Sequence, residues 1–278
     1  MSGDFKRFES EGWSERAAGY GDLTGRATSH AFEPLLDLAG VGSGTRMLDV
    51  ACGTGGLAAA AIARGASATG VDLAEGMLAT ARTALPEIEF VLADAESLPF
   101  ADATFGAAIG AFVLNHVPDP ERCAAEAARV TSPGGGVAFA VWDRPERARL
   151  TSLLGEAAER AGEDRGTGVP DGPDDARFAH DAELTALLRG AGLTEVATAT
   201  LEVSIPVAGT DDLWDGLMDG TVRTASAVGS LARSGRDRVR AALEDVVADF
   251  RRADGTLTVP TVIKLGGGRR PTRAGRDG

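Results

Sequence analysis

Three aspartates, Asp49, Asp72 and Asp94, recur 23 and then 22 residues apart, and each closes a short apolar or small-residue run. Met47, Leu48 and Val50 surround the first. Ala66–Val71 leads to the second, and Ile88–Ala93 to the third. Short runs of this kind predict strands, those buried on both faces being near-continuously apolar. A carboxylate at such a place is costly unless something hydrogen-bonds it. Between the first two acids lie Gly53, Gly55 and Gly56, then Leu57 and an alanine-rich stretch that reads as a helix. Strand, glycine turn and helix form a unit whose backbone N–H groups can approach a bound nucleotide. In a parallel sheet the C-terminal ends of these strands converge on one edge, where ligands of open α/β folds bind.

The charge of the trio narrows the ligand. Gly53, Gly55 and Ala58 match a dinucleotide fingerprint, which alone is weak. A pyrophosphate would be repelled by Asp49 ahead of the turn and by Asp94 beyond it. Three carboxylates suit instead a ligand with donor groups and positive charge. S-adenosylmethionine offers a sulfonium, an ammonium, a ribose diol and an adenine amine, with one small carboxylate for the backbone nest. Asp72 at the second strand tip is suited to a ribose diol, or to capping the helix that follows.

The elements that must hold these groups follow in order. Ser29–Leu38 reads as a helix stopped by Gly40, Gly42 and Gly44. Helices are expected over Ala58–Ala66 and Leu73–Leu85, then a fourth strand over Phe105–Leu114. Asp119-Pro120-Glu121 opens a helix with an N-cap, a proline at N1 and an early acid. That helix ends before Ser132-Pro-Gly-Gly-Gly136, a sharp turn into Val137–Trp142. The β-α alternation predicts a doubly wound parallel sheet with helices on both faces. Beyond it come a helix over Pro145–Ala161, a loop over Gly162–Asp175 and a capped helix over Asp181–Arg189. Ala197–Ile205 alternates as a half-buried antiparallel strand, residues 208–253 are mostly helical, and Thr256–Leu265 is a last strand whose Pro260 marks an edge or bulge. The expected division is a helical lid (1–38), a core (39–206 and 254–266), a helical insertion or substrate cap (207–253) and a disordered tail (267–278).

Composition excludes several classes. A net charge of −13 over 278 residues argues against a nucleic-acid scaffold or an anionic membrane surface. Met1–Ser10 is charged and has no apolar signal-peptide core, and no apolar run reaches the length of a span. Two cysteines, Cys52 and Cys123, give neither a disulfide framework nor a metal cluster, which fits a reduced, cytoplasmic setting. His30, His116 and His180 share no metal-ligand spacing, so no metal is expected. Cys52 has no adjacent base and reads as a small residue filling the turn. Trp13 and Tyr20, with Arg16 and Arg26, belong either to a surface helix or to a lid over a ligand.

Leu48-Asp-Val-Ala-Cys-Gly-Thr-Gly55, Val71-Asp-Leu-Ala-Glu-Gly-Met77, Ala93-Asp-Ala-Glu-Ser-Leu-Pro-Phe100 and Asn115-His-Val-Pro-Asp-Pro120 together resemble class I S-adenosylmethionine-dependent methyltransferases. The subgroup most like it contains quinone-biosynthesis and other small-molecule enzymes. The resemblance covers residues 12–142 strongly and the remainder in outline. It implies a mostly parallel seven-stranded Rossmann-like sheet with an antiparallel strand, S-adenosylmethionine as methyl donor and S-adenosylhomocysteine as product.

By the same resemblance, Asp49 would stand beside the methionine end, with the backbone of Ala51, Gly53 and Gly55 around it. Asp72 would take the ribose hydroxyls, and Leu73 and Met77 would line the adenine. Asp94 would accept from the adenine amine, Ala95 would offer its N–H, and Ala111 and Phe112 would border the ligand. Trp13 and Tyr20 would be lid residues. His116 is either a general base or a residue that orders its loop. Trp214, Leu217, Met218 and Arg223 either roof an acceptor pocket or, for the first three, pack a short helix. The acceptor is expected to be a small molecule methylated on oxygen, nitrogen or carbon, without nucleic acid or membrane, and the oligomeric state is open. The rivals are a non-methylating enzyme on the same fold, a catalytically silent binding subunit and a nicotinamide-dependent dehydrogenase.

Overall fold

The computed structural model describes residues 2–163 and 169–272. The chain opens with three helices, α1 (Ser2–Arg16), α2 (Thr24–Ser29) and α3 (Phe32–Ala39), with a 3₁₀ turn at Tyr20–Asp22. The expected single helix over Ser29–Leu38 is broken at His30–Ala31, so α2 and α3 are separate. Five strands with their helices follow: β1 (Arg46–Val50), α4 (Gly56–Ala63), β2 (Ser67–Asp72), α5 (Glu75–Ala84), β3 (Glu89–Leu92), β4 (Phe105–Ala111), α6 (Pro120–Val130) and β5 (Thr131–Trp142). Then come α7 (Arg149–Arg160), α8 (Asp181–Gly190), β6 (Thr194–Val207), α9 (Thr210–Gly220), α10 (Arg223–Gly229), α11 (Arg233–Val246) and β7 (Leu257–Arg269).

The sheet has seven strands in the order β3-β2-β1-β4-β5-β7-β6. The first five pair in parallel, and β7 runs antiparallel to both β5 and β6. This is the mostly parallel, doubly wound sheet expected. Strand order reverses between β1 and β4, which opens the crevice where such folds bind ligands. Alternation along β1 serves both faces. Leu48 and Val50 pack toward α6 and α8, and Met47 packs toward α3 and α4. Asp119 caps α6 by accepting from Arg122 N at 2.9 Å, with Pro120 at N1.

Three strands are longer than their sequence suggests: β6 by a few residues at each end, and two others for a shared reason. Strand β5 begins at Thr131, so Ser132-Pro-Gly-Gly-Gly136 belongs to a strand with a register shift against β4 and not to a turn outside it. Strand β7 continues past Leu265 to Arg269, so residues 267–269 are sheet and not tail. Glycine there permits close approach. A Cβ on Gly136 would stand 2.1 Å from the Ala39 carbonyl oxygen, and one on Gly267 would stand 2.7 Å from Leu38. Pro260 pairs only with β6, because β5 reaches no further along β7 than Ile263; this stretch is locally an edge. Residues 164–168 of the expected loop and 273–278 of the expected tail lie outside the described residues.

Helices α9, α10 and α11 fall between β6 and β7 and share one apolar cluster with α7, the far ends of both strands, and Leu23 and Ala27 of the N-terminal segment. Trp214 and Leu217 are buried in that cluster, with Met218 against it. They pack this cluster, and a fully buried leucine such as Leu217 contributes roughly 1.5–3 kcal/mol. Glycines seat the N-terminal segment: a Cβ on Gly76 of α5 would stand 2.4 Å from the Ser14 carbonyl oxygen, and one on Gly216 2.6 Å from Leu23. Ser14 Oγ accepts from Gly76 N at 3.2 Å, and Ser10 Oγ donates to Leu73 O at 2.8 Å. Helix α1 is thereby fixed across the top of β2 and α5. Among the described residues no helix is long and apolar enough to cross a membrane.

Candidate active site

The strand ends and α1 enclose a cleft of about 910 Å³ of empty space, including its open mouth. That is room for a nucleoside-sized ligand with a small molecule beside it. Its floor is the C-terminal edge of the sheet: Ala51 after β1, Asp72–Ala74 from the end of β2, Ala93–Ala95 after β3, Ala111–Val113 from the end of β4 and Trp142 at the end of β5. Its roof is Lys6, Glu9, Ser10 and Trp13 of α1, Tyr20, and Thr24 and Thr28 of α2.

Twelve of the expected site residues meet there: Trp13, Tyr20, Ala51, Gly53, Asp72, Leu73, Met77, Asp94, Ala95, Ala111, Phe112 and His116. Gly53 has φ +53° and no atom within 4 Å of an added Cβ, so its backbone faces open space. Ala51 and Phe112 also take left-handed φ, +58° and +63°, at the tips of β1 and β4. Strain of this kind, about 1–3 kcal/mol per residue, collects at ligand sites.

Asp49 and Gly55 stand apart from the cleft lining. Asp49 is 1% exposed, and its Oδ2 accepts from Ala58 N at 3.0 Å, so the carboxyl group caps the first turn of α4 from beneath. Burial pushes its pKa up to about 8, the bond from Ala58 acting against that shift and Asp72 adding to it. Gly55 is the left-handed residue opening α4, and a Cβ there would lie 2.9 Å from both Leu85 and Phe90. Both residues shape the turn from behind.

Asp72 accepts from Gly53 N through Oδ2 and from Ala74 N through Oδ1, each at 2.8 Å. It therefore ties the β1 turn to the start of α5, while the N-cap position itself is Ala74. A carboxylate has about four lone-pair sites, so at least one remains for a ligand. Removal from bulk water pushes its pKa up, against the bonds from Ala74, Gly53 and Leu73. Burial, with Asp49 and Asp72 adding, also pushes the Cys52 thiol well up, leaving it an inert small residue in the turn.

Sequence reading missed the basic and acidic contacts of α1. Lys6 Nζ bonds Asp94 Oδ2 and Glu96 Oε2, both at 2.5 Å. Glu9 is 3% exposed and accepts from Trp13 Nε1 at 2.9 Å and Arg223 Nε at 3.2 Å; it also meets His116 Nδ1 at 2.9 Å. Phe5, Glu9 and Trp13 recur at helical spacing on one face, a pattern that marks an inward-facing stripe. The Trp13 ring meets Tyr20 and His116 edge-on, with centroids 5.8 and 5.3 Å away. Phe112 and Trp142 lie 4.4 Å apart with a 34° tilt. His30 and His180 lie off the cleft, and no group of three or more metal-ligating side chains occurs among the described residues.

The lining is acidic and aromatic. Glu9, Asp72 and Asp94 face one lysine, which is already paired twice. Such a cleft suits a ligand with hydroxyl and amine donors and a positive centre, and opposes a pyrophosphate. Residues 48–139 match the methyltransferase domain family. The demethylmenaquinone methyltransferase of Renibacterium salmoninarum is 35% identical over 127 residues, covering 46% of this chain and 54% of that one. The ubiquinone biosynthesis O-methyltransferase of Thiobacillus denitrificans is 35% identical over 173 residues, 59% of this chain and 72% of that one. The matched region thus spans about half the length of some of these curated relatives. Among solved structures, the Haemonchus contortus phosphoethanolamine N-methyltransferase 2 in complex with S-adenosyl-L-methionine has the same fold, with a TM-score of 0.52, 17% identity, and 87% of this chain and 53% of that one covered. The chain belongs to the class I S-adenosylmethionine-dependent methyltransferases. It is related within them to the quinone methyltransferases.

Proposed function

We propose that this protein transfers a methyl group from S-adenosylmethionine to the hydroxyl, or an adjacent ring carbon, of a small uncharged aromatic acceptor. The observation that carries the reading is the lining of one cleft: two carboxylates on successive strand ends, an open glycine backbone and one lysine already paired with two carboxylates. When bound, S-adenosylmethionine supplies a methyl group already activated by its sulfonium. Asp72 would accept from the ribose hydroxyls, and Leu73 and Met77 would flank the adenine. Asp94 and the N–H of Ala95 would meet the adenine edge. The backbone of Ala51 and Gly53 would hold the amino-acid end, with Asp49 stiffening the turn behind them.

The acceptor would lie against Phe112, Trp142, Tyr20 and Trp13. No free cation lines that side among the described residues, which disfavours an acceptor that depends on a carboxylate or phosphate. Relatives named for demethylmenaquinone and for ubiquinone biosynthesis support a reduced-quinone or phenolic ring. Holding acceptor and methyl in line is worth about 7–11 kcal/mol of barrier, and His116 as general base would add roughly 10²–10⁴-fold. The net charge of −13 supports a free metabolite over a nucleic acid. The test is incubation with S-adenosylmethionine and a panel of naphthohydroquinones and simple phenols. S-adenosylhomocysteine formed in step with a methylated product is expected. An acceptor transformed while S-adenosylmethionine stays intact would instead support a non-methylating enzyme. Tight binding with no turnover would support a silent subunit.

A further inference from the structure

We propose that Glu9, carried by the N-terminal helix, is the positioning carboxylate of His116: it fixes the imidazole so that Nε2 is free to take a proton from the acceptor. The proposal rests on the methyl-transfer reading above. Glu9 is nearly fully buried on a helix whose other acids, Asp4, Glu11 and Glu15, are not. A carboxylate is buried only where donors meet it, and the donors here come from three parts of the chain. His116 Nδ1 stands 2.9 Å from Oε2, which Trp13 Nε1 shares, and Arg223 Nε stands 3.2 Å from Oε1.

Arg223 does more than neutralise Glu9. It also donates to the carbonyls of Pro173, at 2.9 Å, and of Asn115, the neighbour of His116, and it pairs with Asp175 at 2.8 Å. Its guanidinium lies 5.1 Å from the centre of the Phe5 ring. One arginine from α10 therefore fixes both the carboxylate and the loop that bears the histidine. Among the described residues, the other charged groups lining the cleft are Lys6, one turn earlier and committed to Asp94 and Glu96, Asp94 itself, and Asp72 across the cleft.

The chemistry follows from donor counting. Burial acts to raise the Glu9 pKa, but His116, Arg223 and Trp13 outweigh it and hold the group below the usual carboxylate range. An ionised carboxylate only accepts, so the proton of a neutral His116 sits on Nδ1 and the lone pair on Nε2. In the reaction, Nε2 takes the hydroxyl proton of the acceptor and the freed oxygen pair forms the new bond to the methyl carbon. The carbon–sulfur bond breaks with its electrons staying on sulfur, which leaves a neutral thioether. The imidazolium then faces an ionised Glu9, and its proton passes to solvent after product leaves. A helix that could otherwise serve only as a lid thus supplies part of the proton-transfer apparatus.

The test reads the imidazole directly. Nitrogen-15 NMR of the free protein is expected to show His116 as the Nδ1–H tautomer. Glu9→Gln keeps an acceptor oxygen, so the tautomer persists while kcat toward a naphthohydroquinone probe falls about tenfold or more. Glu9→Ala loses the tautomer and about 10²-fold in kcat, and Glu9→Asp recovers part of the loss. Calorimetry with S-adenosylhomocysteine is expected to give parent affinity for Glu9→Gln. His116 found as the Nε2–H tautomer in the parent chain would overturn the proposal, as would Glu9 variants whose whole defect is weakened S-adenosylhomocysteine binding. A parent chain that methylates no probe overturns the methyl-transfer reading, and the tautomer measurement then still decides Glu9.

Discussion

Replacing Asp49 with asparagine tests the electrostatics behind the glycine turn. The side chain is almost completely buried, with one backbone donor, and its pKa is raised from 3.8 to about 8. Between those two values the folded chain holds a proton that the unfolded chain has released. Stability from this group is therefore fully present below about pH 4 and is lost as pH rises toward 8. One pKa unit corresponds to about 1.4 kcal/mol, so the parent should lose up to about 2–3 kcal/mol from Asp49 alone between pH 5 and pH 7. The Asp49→Asn variant keeps a carbonyl oxygen for Ala58 N and has nothing to titrate at this position. Urea unfolding of both chains at pH 5, 6 and 7 isolates the effect, because Asp72 and Glu9 titrate in each. The variant is expected to show a flatter decline and the higher stability at pH 7. Parallel lines for the two chains would refute the assignment of Asp49 as a buried, predominantly protonated group in the free protein.

Two further substitutions probe the cleft. Asp72→Ala removes the acceptor assigned to the ribose and should weaken S-adenosylmethionine binding by about 1–3 kcal/mol in calorimetry; a folded variant of parent affinity would sink that assignment. Gly76→Ala places a methyl 2.4 Å from the Ser14 carbonyl oxygen, so α1 must shift. Overpacking of this kind costs about 1–3 kcal/mol, and amide exchange in Ser2–Arg16 should quicken while that of β1 and β4 does not change. Unchanged exchange in α1 would show that the helix is not seated on Gly76.

What the sequence made legible is what local pattern encodes. The run from Met47 through the alanines of α4, the acids ending β2 and β3, and the capped start at Asp119-Pro120 all follow from neighbours a few residues apart. Three kinds of feature did not. Glycine signals a turn and close backbone approach alike, so Ser132–Gly136 and Gly266–Gly268 read as turn and tail when the opposing backbones make them strand. A charge near the start of the chain reads as solvated surface, which hides Lys6 and Glu9; apart from Trp13, their partners lie 88 to 214 residues away in sequence. The role of Asp49 is the third. Its spacing with Asp72 and Asp94 suggests ligand contact, but alternation along β1 turns it beneath α4, while Ala51, past the strand end with a left-handed φ, reaches the cleft.

That the cleft binds a cationic, phosphate-free cofactor is tested most directly by calorimetric titration of the purified chain with S-adenosylmethionine and, separately, with NADH. One S-adenosylmethionine site per chain is expected, with no measurable heat from NADH. Saturable NADH binding in preference to S-adenosylmethionine would contradict it.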